Sequence, residues 1–191
     1  FRRVLFRSLD KEIPFHLIPH DQKGLYHEAI GKEWGSWMQY EAAEPLSVEE
    51  SEKIRKEKPE RILRSRYVFR NKNAGLLDAS GNPLPIKAKA RLCVQGQHDP
   101  DCASGEIKVD SPTVQHTTLM LFLHCVVSFG WLDNWKSGDI SSAFLQGKKS
   151  EGEPLFMFQP KQGIPGVDSR QVFKLNRPVY GRPDAPRAWY E

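Results

Sequence analysis

The sequence predicts an α+β fold in which helices mix with antiparallel strands, and three observations predict it. Apolar residues near the start of the chain recur at three- and four-residue steps, as one buried helical face requires. Two central segments alternate apolar and charged residues around a stretch of turn formers, as a hairpin requires. The regular alternation of strand and helix that builds a parallel sheet does not occur. With 191 residues, 39% of them hydrophobic, and with ten Phe and five Trp, the chain can build an ordinary core and does not have the composition of a disordered polypeptide. It shows no internal repeat or low-complexity tract.

From Lys23 to about Ala43, Leu25, Ala29, Ile30, Trp34, Trp37 and Met38 share one helical face, so a first helix is expected there. A second, over 47–58, opens SVEE: Ser47 is the candidate N-cap, Glu50 three residues on completes a capping box, and Pro59 ends it. RILRSRYVFR (61–70) alternates and is rich in β-formers. NKNAGLLDASGNPLP supplies a turn, and IKAKARLCVQG resumes the alternation, which predicts two paired antiparallel strands. Arg64, Arg66, Arg70, Lys87, Lys89 and Arg91 would make one face of that hairpin basic.

The polar stretch 97–112 reads as a loop. The run after it is apolar on nearly all sides over 117–129, which predicts a buried helix starting near Thr113. WLDNWKSGDI then alternates Trp131, Asp133 and Trp135 and predicts a strand that ends at Asp139, with SSAFL as a turn. PLFMF (154–158) and QVFKL (171–175) predict two further short strands, and PDAPRAWYE a last helix.

The formal charge of +4 is only mildly basic. It is uneven: residues 53–72 hold nine Lys or Arg against two Glu, a face that would suit a polyanion or a solvated helix of paired charges. The three cysteines, Cys93, Cys102 and Cys125, are odd in number and follow no secretory apolar core, which points to a reducing, intracellular setting. The longest apolar run, LMLFLHCVV, is too short to span a bilayer, so no membrane partner is expected. Within the opening FRRVLFRS, LFRS is one translation of a sequence resembling a sequencing-adapter end, so the first eight residues are a candidate cloning or assembly scar and carry no fold reasoning.

Cys93, His98 and Cys102 do not have the close pair and four ligands of a zinc site. Ser141, His116 and Asp133 lack the G-x-S-x-G elbow of a hydrolase, and no Gly-rich phosphate loop occurs. Asp139 stands apart. A carboxylate at a strand end, with the Ile140 peptide beside it as a second hard oxygen ligand, is a place for Mg²⁺, although such an Asp also serves as a cap or turn former.

KAKARLCVQG, DSPTVQHTTLMLFLHCVVSFGW, GDISSAFLQG, PLFMFQPKQG and VFKLNRPVYGRPDAPRAWYE occur in one order and spacing. Together these blocks resemble the reverse transcriptase of copia-type retrotransposons, whose pattern reads approximately KARLVAKG, SPVV, LDVxxAFLNG, EIYMxQPxGF and LxKSLYGLKQAPRxWY. RSRYVFRNKNAG resembles that family's upstream strand, so the likeness runs from about residue 25 to the end, and 1–22 reads as an N-terminal extension.

The resemblance implies an RNA-directed DNA polymerase, with 23–191 forming the fingers and the first part of the palm. It implies that Asp139 is one of three aspartates holding two Mg²⁺ ions, with the Ile140 carbonyl as a further ligand. Phe144 would be the aromatic that excludes a 2′-hydroxyl, and Lys89 and Arg91 the fingers residues that grip the dNTP triphosphate, with Gln146 also at the nucleotide. Arg64, Arg66, Tyr180, Gly181 and Arg187 would contact nucleic acid. The implied partners are an RNA template, a DNA primer, dNTPs and the rest of the retrotransposon polyprotein, in a cytoplasmic particle or the nucleus.

Three departures qualify the likeness. Gly138 replaces an apolar strand residue before Asp139; the last block gains Pro178 and Pro183, and its Lys is replaced by Pro183 or Asp184, which lowers positive charge where nucleic acid would pass; and the Y-x-D-D turn that supplies the other two aspartates is absent. The expectation is a chain without measurable polymerase activity of its own, with a nucleic-acid-binding remnant or a decayed element copy without catalysis as the alternative. Unpaired sheet edges further predict poor solubility.

Overall fold

The computed structural model describes residues 12–105, 109–111 and 114–190. The architecture is mixed helix and strand, as expected. Helix α1, Lys23–Gln39, buries Tyr26, Ala29, Ile30, Glu33, Trp34 and Trp37. Leu25 and Met38, expected on that face, are exposed. The buried positions 26, 30, 33 and 37 keep the helical period, and Leu25 and Met38 sit one residue off it. Residues ahead of α1 belong to the same core: Ile18 is buried, and the Ile13 amide donates to the Phe69 carbonyl at 2.9 Å. The segment read as a scar lies outside the described residues.

Helix α2, Val48–Glu57, begins on the expected capping box. The Glu50 amide donates to the Ser47 hydroxyl and the Ser47 amide to the Glu50 carboxylate. The Ser47 hydroxyl, which also donates to the Glu50 carboxylate at 2.8 Å, and then the Ser47 amide hold the Glu50 carboxyl below its ordinary value.

The hairpin pairs β3, Ser65–Asn71, with β4, Ala88–Val94, antiparallel, placing Tyr67 opposite Leu92, Val68 opposite Arg91 and Arg70 opposite Lys89. Alternation assigns the faces. Tyr67, Phe69, Ala90 and Leu92 are buried beneath α1, while Arg66, Arg70, Lys89 and Arg91 lie on the other face.

Ile62–Leu63 (β2), expected to continue β3, breaks away at Arg64 and pairs in parallel with Leu155–Met157 (β5). With Ala43–Pro45 (β1) and Phe173–Leu175 (β6) they form a second sheet of order β1-β6-β5-β2, its other two pairings antiparallel. The sheets are therefore mixed and not wholly antiparallel. Trp34 meets Phe173 edge to face at 5.1 Å and ties α1 to this sheet.

The expected loop after β4 includes a short helix α3, Pro100–Ala103, because Asp99 caps it and Pro100 takes its first position. The expected apolar helix also forms, as α4, His116–Ser128, but its burial is corrected. Only Val126 is buried, while Leu119, Met120, Leu121, Phe122 and Val127 are exposed. The position near Thr113 where it was expected to start lies outside the described residues.

The strand expected to end at Asp139 is absent. Residues 131–140 contain a 3-10 turn at Leu132–Asn134 and then irregular chain. An alternating segment becomes a strand only where a neighbour completes its ladder, and this one has none among the described residues. Helix α5, Ala185–Tyr190, packs on the 3-10 turn Ala143–Gln146, with the Lys148 amide donating to the Ala188 carbonyl. Among the described residues no helix is long and apolar enough to cross a membrane.

Candidate functional site

The site is built on the free edge of β4. The Val94 amide donates to the Tyr180 carbonyl at 2.8 Å and the Gly96 amide to the Gly181 carbonyl at 3.2 Å. Gly181 takes a φ of 95°, and a Cβ there would overlap the Val94 carbonyl oxygen. A Cβ at Gly96 would in turn overlap the Gly181 carbonyl. The two glycines let the Tyr180 turn lie directly along the strand.

That docking sets Tyr180 beneath the basic face. The Arg91 guanidinium carbon lies 4.8 Å from the Tyr180 ring centroid, and the Phe144 ring packs on Tyr180 at 5.5 Å and 58°. Burial raises the Tyr180 hydroxyl pKa and the nearby Glu33 carboxylate adds to it, while Arg91 and a side-chain hydrogen bond with Ser142 pull the other way. Ser142 adopts φ 56°, a strained value outside glycine, at the start of the turn that carries Phe144. Buried Leu145 anchors that turn in the core.

Three of the sequence candidates therefore converge: Arg91, Phe144 and Tyr180. Lys89 is beside them on the same strand face, its ammonium 3.6 Å from the Glu33 carboxylate. Gln146 points elsewhere. Its amide donates to the Ser141 carbonyl, and it borders a shallow opening of about 220 Å³ with Gln39, Tyr40, Glu41 and Arg177.

The remaining candidates are dispersed. Arg64 is exposed at the break between β2 and β3. Arg66 is engaged by Glu12, and Arg187 by Asp110 at 2.7 Å. Asp139 is exposed on irregular chain, and Ile140 is exposed next to it. Asp139 stands three positions before Ser142, at most about 11 Å away along extended chain. Among the described residues no group of three or more His, Cys, Asp or Glu could hold a metal ion. The described residues thus do not complete the Mg²⁺ site that the resemblance implies.

Sequence reasoning missed two features. Glu33 is 4% exposed, and a charged residue falling on the apolar stripe of α1 between Ile30 and Trp37 was its signal. The second is a buried ionic cluster. Arg182 forms a forked pair with Asp184 at 2.9 and 2.8 Å and lies 3.6 Å from Asp99, whose carboxyl is pushed up by burial. Arg61 nearby forks onto Asp101. Arg182 and Asp184 are two of the positions where the last block departs from the copia pattern, and they satisfy each other.

Residues 52–191 match the family described as reverse transcriptase (RNA-dependent DNA polymerase). Curated relatives include the retrovirus-related Pol polyprotein from transposon TNT 1-94 of Nicotiana tabacum, 29% identical over 70% of this chain and 9% of its own length. Those from transposons RE1 and RE2 of Arabidopsis thaliana are 32% and 30% identical, each over 68% of this chain and 8% of their own length. The chain spans less than a tenth of these relatives. No solved structure matches it.

Proposed function

Because this chain belongs to the reverse transcriptase (RNA-dependent DNA polymerase) family, we propose that it is the fingers and first part of the palm of a copia-type polymerase carried in a longer polyprotein. The parent reaction is RNA-templated addition of dNTPs to a DNA primer. The observation that carries the reading is the stack of Arg91 on Tyr180 on Phe144. It sets a phosphate-binding cation, an aromatic platform and a candidate sugar-excluding ring side by side.

Each group has a part that its chemistry allows. Arg91 presents a guanidinium fork and Lys89 an ammonium to the triphosphate, a tetra-anion that two neighbouring cations suit. Phe144 offers the sugar an apolar wall that leaves no partner for a 2′-hydroxyl. Exposed Arg64 and Arg70 continue the basic face away from the stack, where a template backbone would be held through counter-ion release. Arg187 and Arg66 would reach phosphates only by exchanging their present carboxylate partners. Asp139 is the candidate metal carboxylate, and no phosphoryl-transfer step is assigned to this chain, since the other carboxylates of such a site are not among the described residues.

Titration of the chain with dTTP and with a labelled RNA–DNA primer-template tests the reading. Both are expected to bind, the second more weakly as salt rises, with Arg91→Ala weakening dTTP about tenfold. Failure of wild-type chain to bind dTTP would sink the assignment. Primer extension by the chain alone is expected to be nil, and Mg²⁺-dependent synthesis would overturn that statement. Retained primer-template binding without dTTP binding would support the nucleic-acid-holding alternative.

A further inference from the structure

Glu33 is a buried carboxylate on α1, outside residues 52–191 over which the family match runs. Its Oε1 accepts from the Leu92 backbone amide at 3.1 Å and from the Trp37 indole at 3.4 Å. Its Oε2 lies 3.6 Å from the Lys89 ammonium, which is half-exposed. A buried charge is retained only where a partner offsets its lost hydration. The two Oε1 bonds ask for an acceptor, which a neutral amide would supply as well. The negative charge itself is accounted for by Lys89, three residues along β4 from Leu92.

We propose that Glu33 is a positioning residue, whose clamped carboxylate fixes the Lys89 ammonium at the edge of β4 so that Lys89 and Arg91 meet a nucleoside triphosphate as a preset pair. A lysine side chain loses much rotational freedom when it grips a ligand, and a fixed counter-ion removes part of that loss in advance. The raised pKa of the Tyr180 hydroxyl, to which the Glu33 charge contributes, agrees with a carboxylate close beneath the stack. This inference rests on the nucleotide-binding reading and adds to it a residue from a helix that the matched region does not contain.

The test is a double-mutant cycle on the 191-residue chain, with dTTP as probe and a thermal melt as control for folding. Glu33→Gln keeps the acceptor for Leu92 and removes the charge, and it is expected to weaken dTTP about tenfold. Lys89→Ala is expected to do the same, and the double variant to be no weaker than Lys89→Ala alone, because Glu33 acts through Lys89. Should Glu33→Gln lose its cooperative melt, Trp37→Phe, which removes one clamp and leaves the charge, is expected to weaken dTTP about two- to threefold. A Glu33→Gln chain that binds dTTP as tightly as wild type or tighter, an effect that adds in full to Lys89→Ala, or unchanged affinity in Trp37→Phe overturns the positioning role. If Lys89→Ala and Arg91→Ala still weaken binding in those cases, the nucleotide site itself stands. Loss of all dTTP binding by wild type removes both.

Discussion

The β3–β4 hairpin and helix α4 both carry dense apolar residues, yet one is half-buried in an ordered way and the other is almost wholly uncovered. In the hairpin the inner-face residues alternate with outward ones that are mostly charged, Arg66, Arg70, Lys89 and Arg91, with Val68 an apolar exception, so a single register puts Tyr67, Phe69, Ala90 and Leu92 under α1. In α4 the apolar residues run around the helix, and the described structure buries only Val126, with Leu123 and Cys125 half-buried. Alternation names both a face and the element that must cover it. An all-round apolar helix names only the need for cover.

Substitutions on the two elements should have unequal costs. Leu92→Ala opens a cavity in the packed face and is expected to cost about 2–5 kcal/mol in urea unfolding. Leu121→Ala on α4 is expected to stay within about 0.5 kcal/mol, and a cost as large as that of Leu92→Ala would show that α4 is covered in solution. Next comes Gly181→Ala. It places a side chain at positive φ against the Val94 carbonyl and is expected to destabilise the chain by about 2 kcal/mol or more, while detaching Tyr180 from Arg91. A melt unchanged by that substitution would contradict the close approach of the two segments.

Charged positions carry smaller, pH-dependent effects. Burial raises the Asp99 carboxyl pKa in the fold, so its ionised form opposes folding above that value. Asp99→Asn keeps the cap on α3 and is expected to raise the melting temperature at neutral pH by a few degrees, since 1 kcal/mol moves a domain of this size by about 2–4 °C. The advantage should shrink as the pH falls toward the ordinary aspartate value, where wild type also becomes neutral. Glu50 has the opposite sign. Its folded-state pKa lies below the ordinary 4.5, so its contribution is complete above that value and is lost as the pH falls through the lowered one. Circular dichroism should show α2 fraying in acid, and Glu50→Gln should flatten that pH dependence.

Much of the fold was legible where local chemistry is decisive. Ser47 and Glu50 announce α2, and the two alternating runs announce the hairpin and its basic face. The β2 pairing was not legible, because Ile62 and Leu63 look like any β-forming pair and only a partner distant in the chain decides which sheet they join. The same reason defeated the strand expected before Asp139: its Trp residues alternate, but among the described residues no neighbouring strand completes a ladder. Of the site, Arg91, Phe144 and Tyr180 were each named from sequence, yet their stacking depends on the Gly96 and Gly181 approach, which no local pattern encodes. Glu33 is visible in the sequence as a charge between Ile30 and Trp37 on the apolar stripe of α1, but a charge there reads equally as the edge of that stripe until Leu92, Trp37 and Lys89 close around it.

The backbone bonds from Val94 and Gly96 to the turn at Tyr180 also order events in time. The hairpin joins neighbouring stretches of chain and can close early, whereas the turn must return from far along the polypeptide before it can dock. Arg91 therefore reaches its aromatic seat last, and refolding followed by hydrogen exchange should find the Val94 and Gly96 amides protected after those within the hairpin ladder.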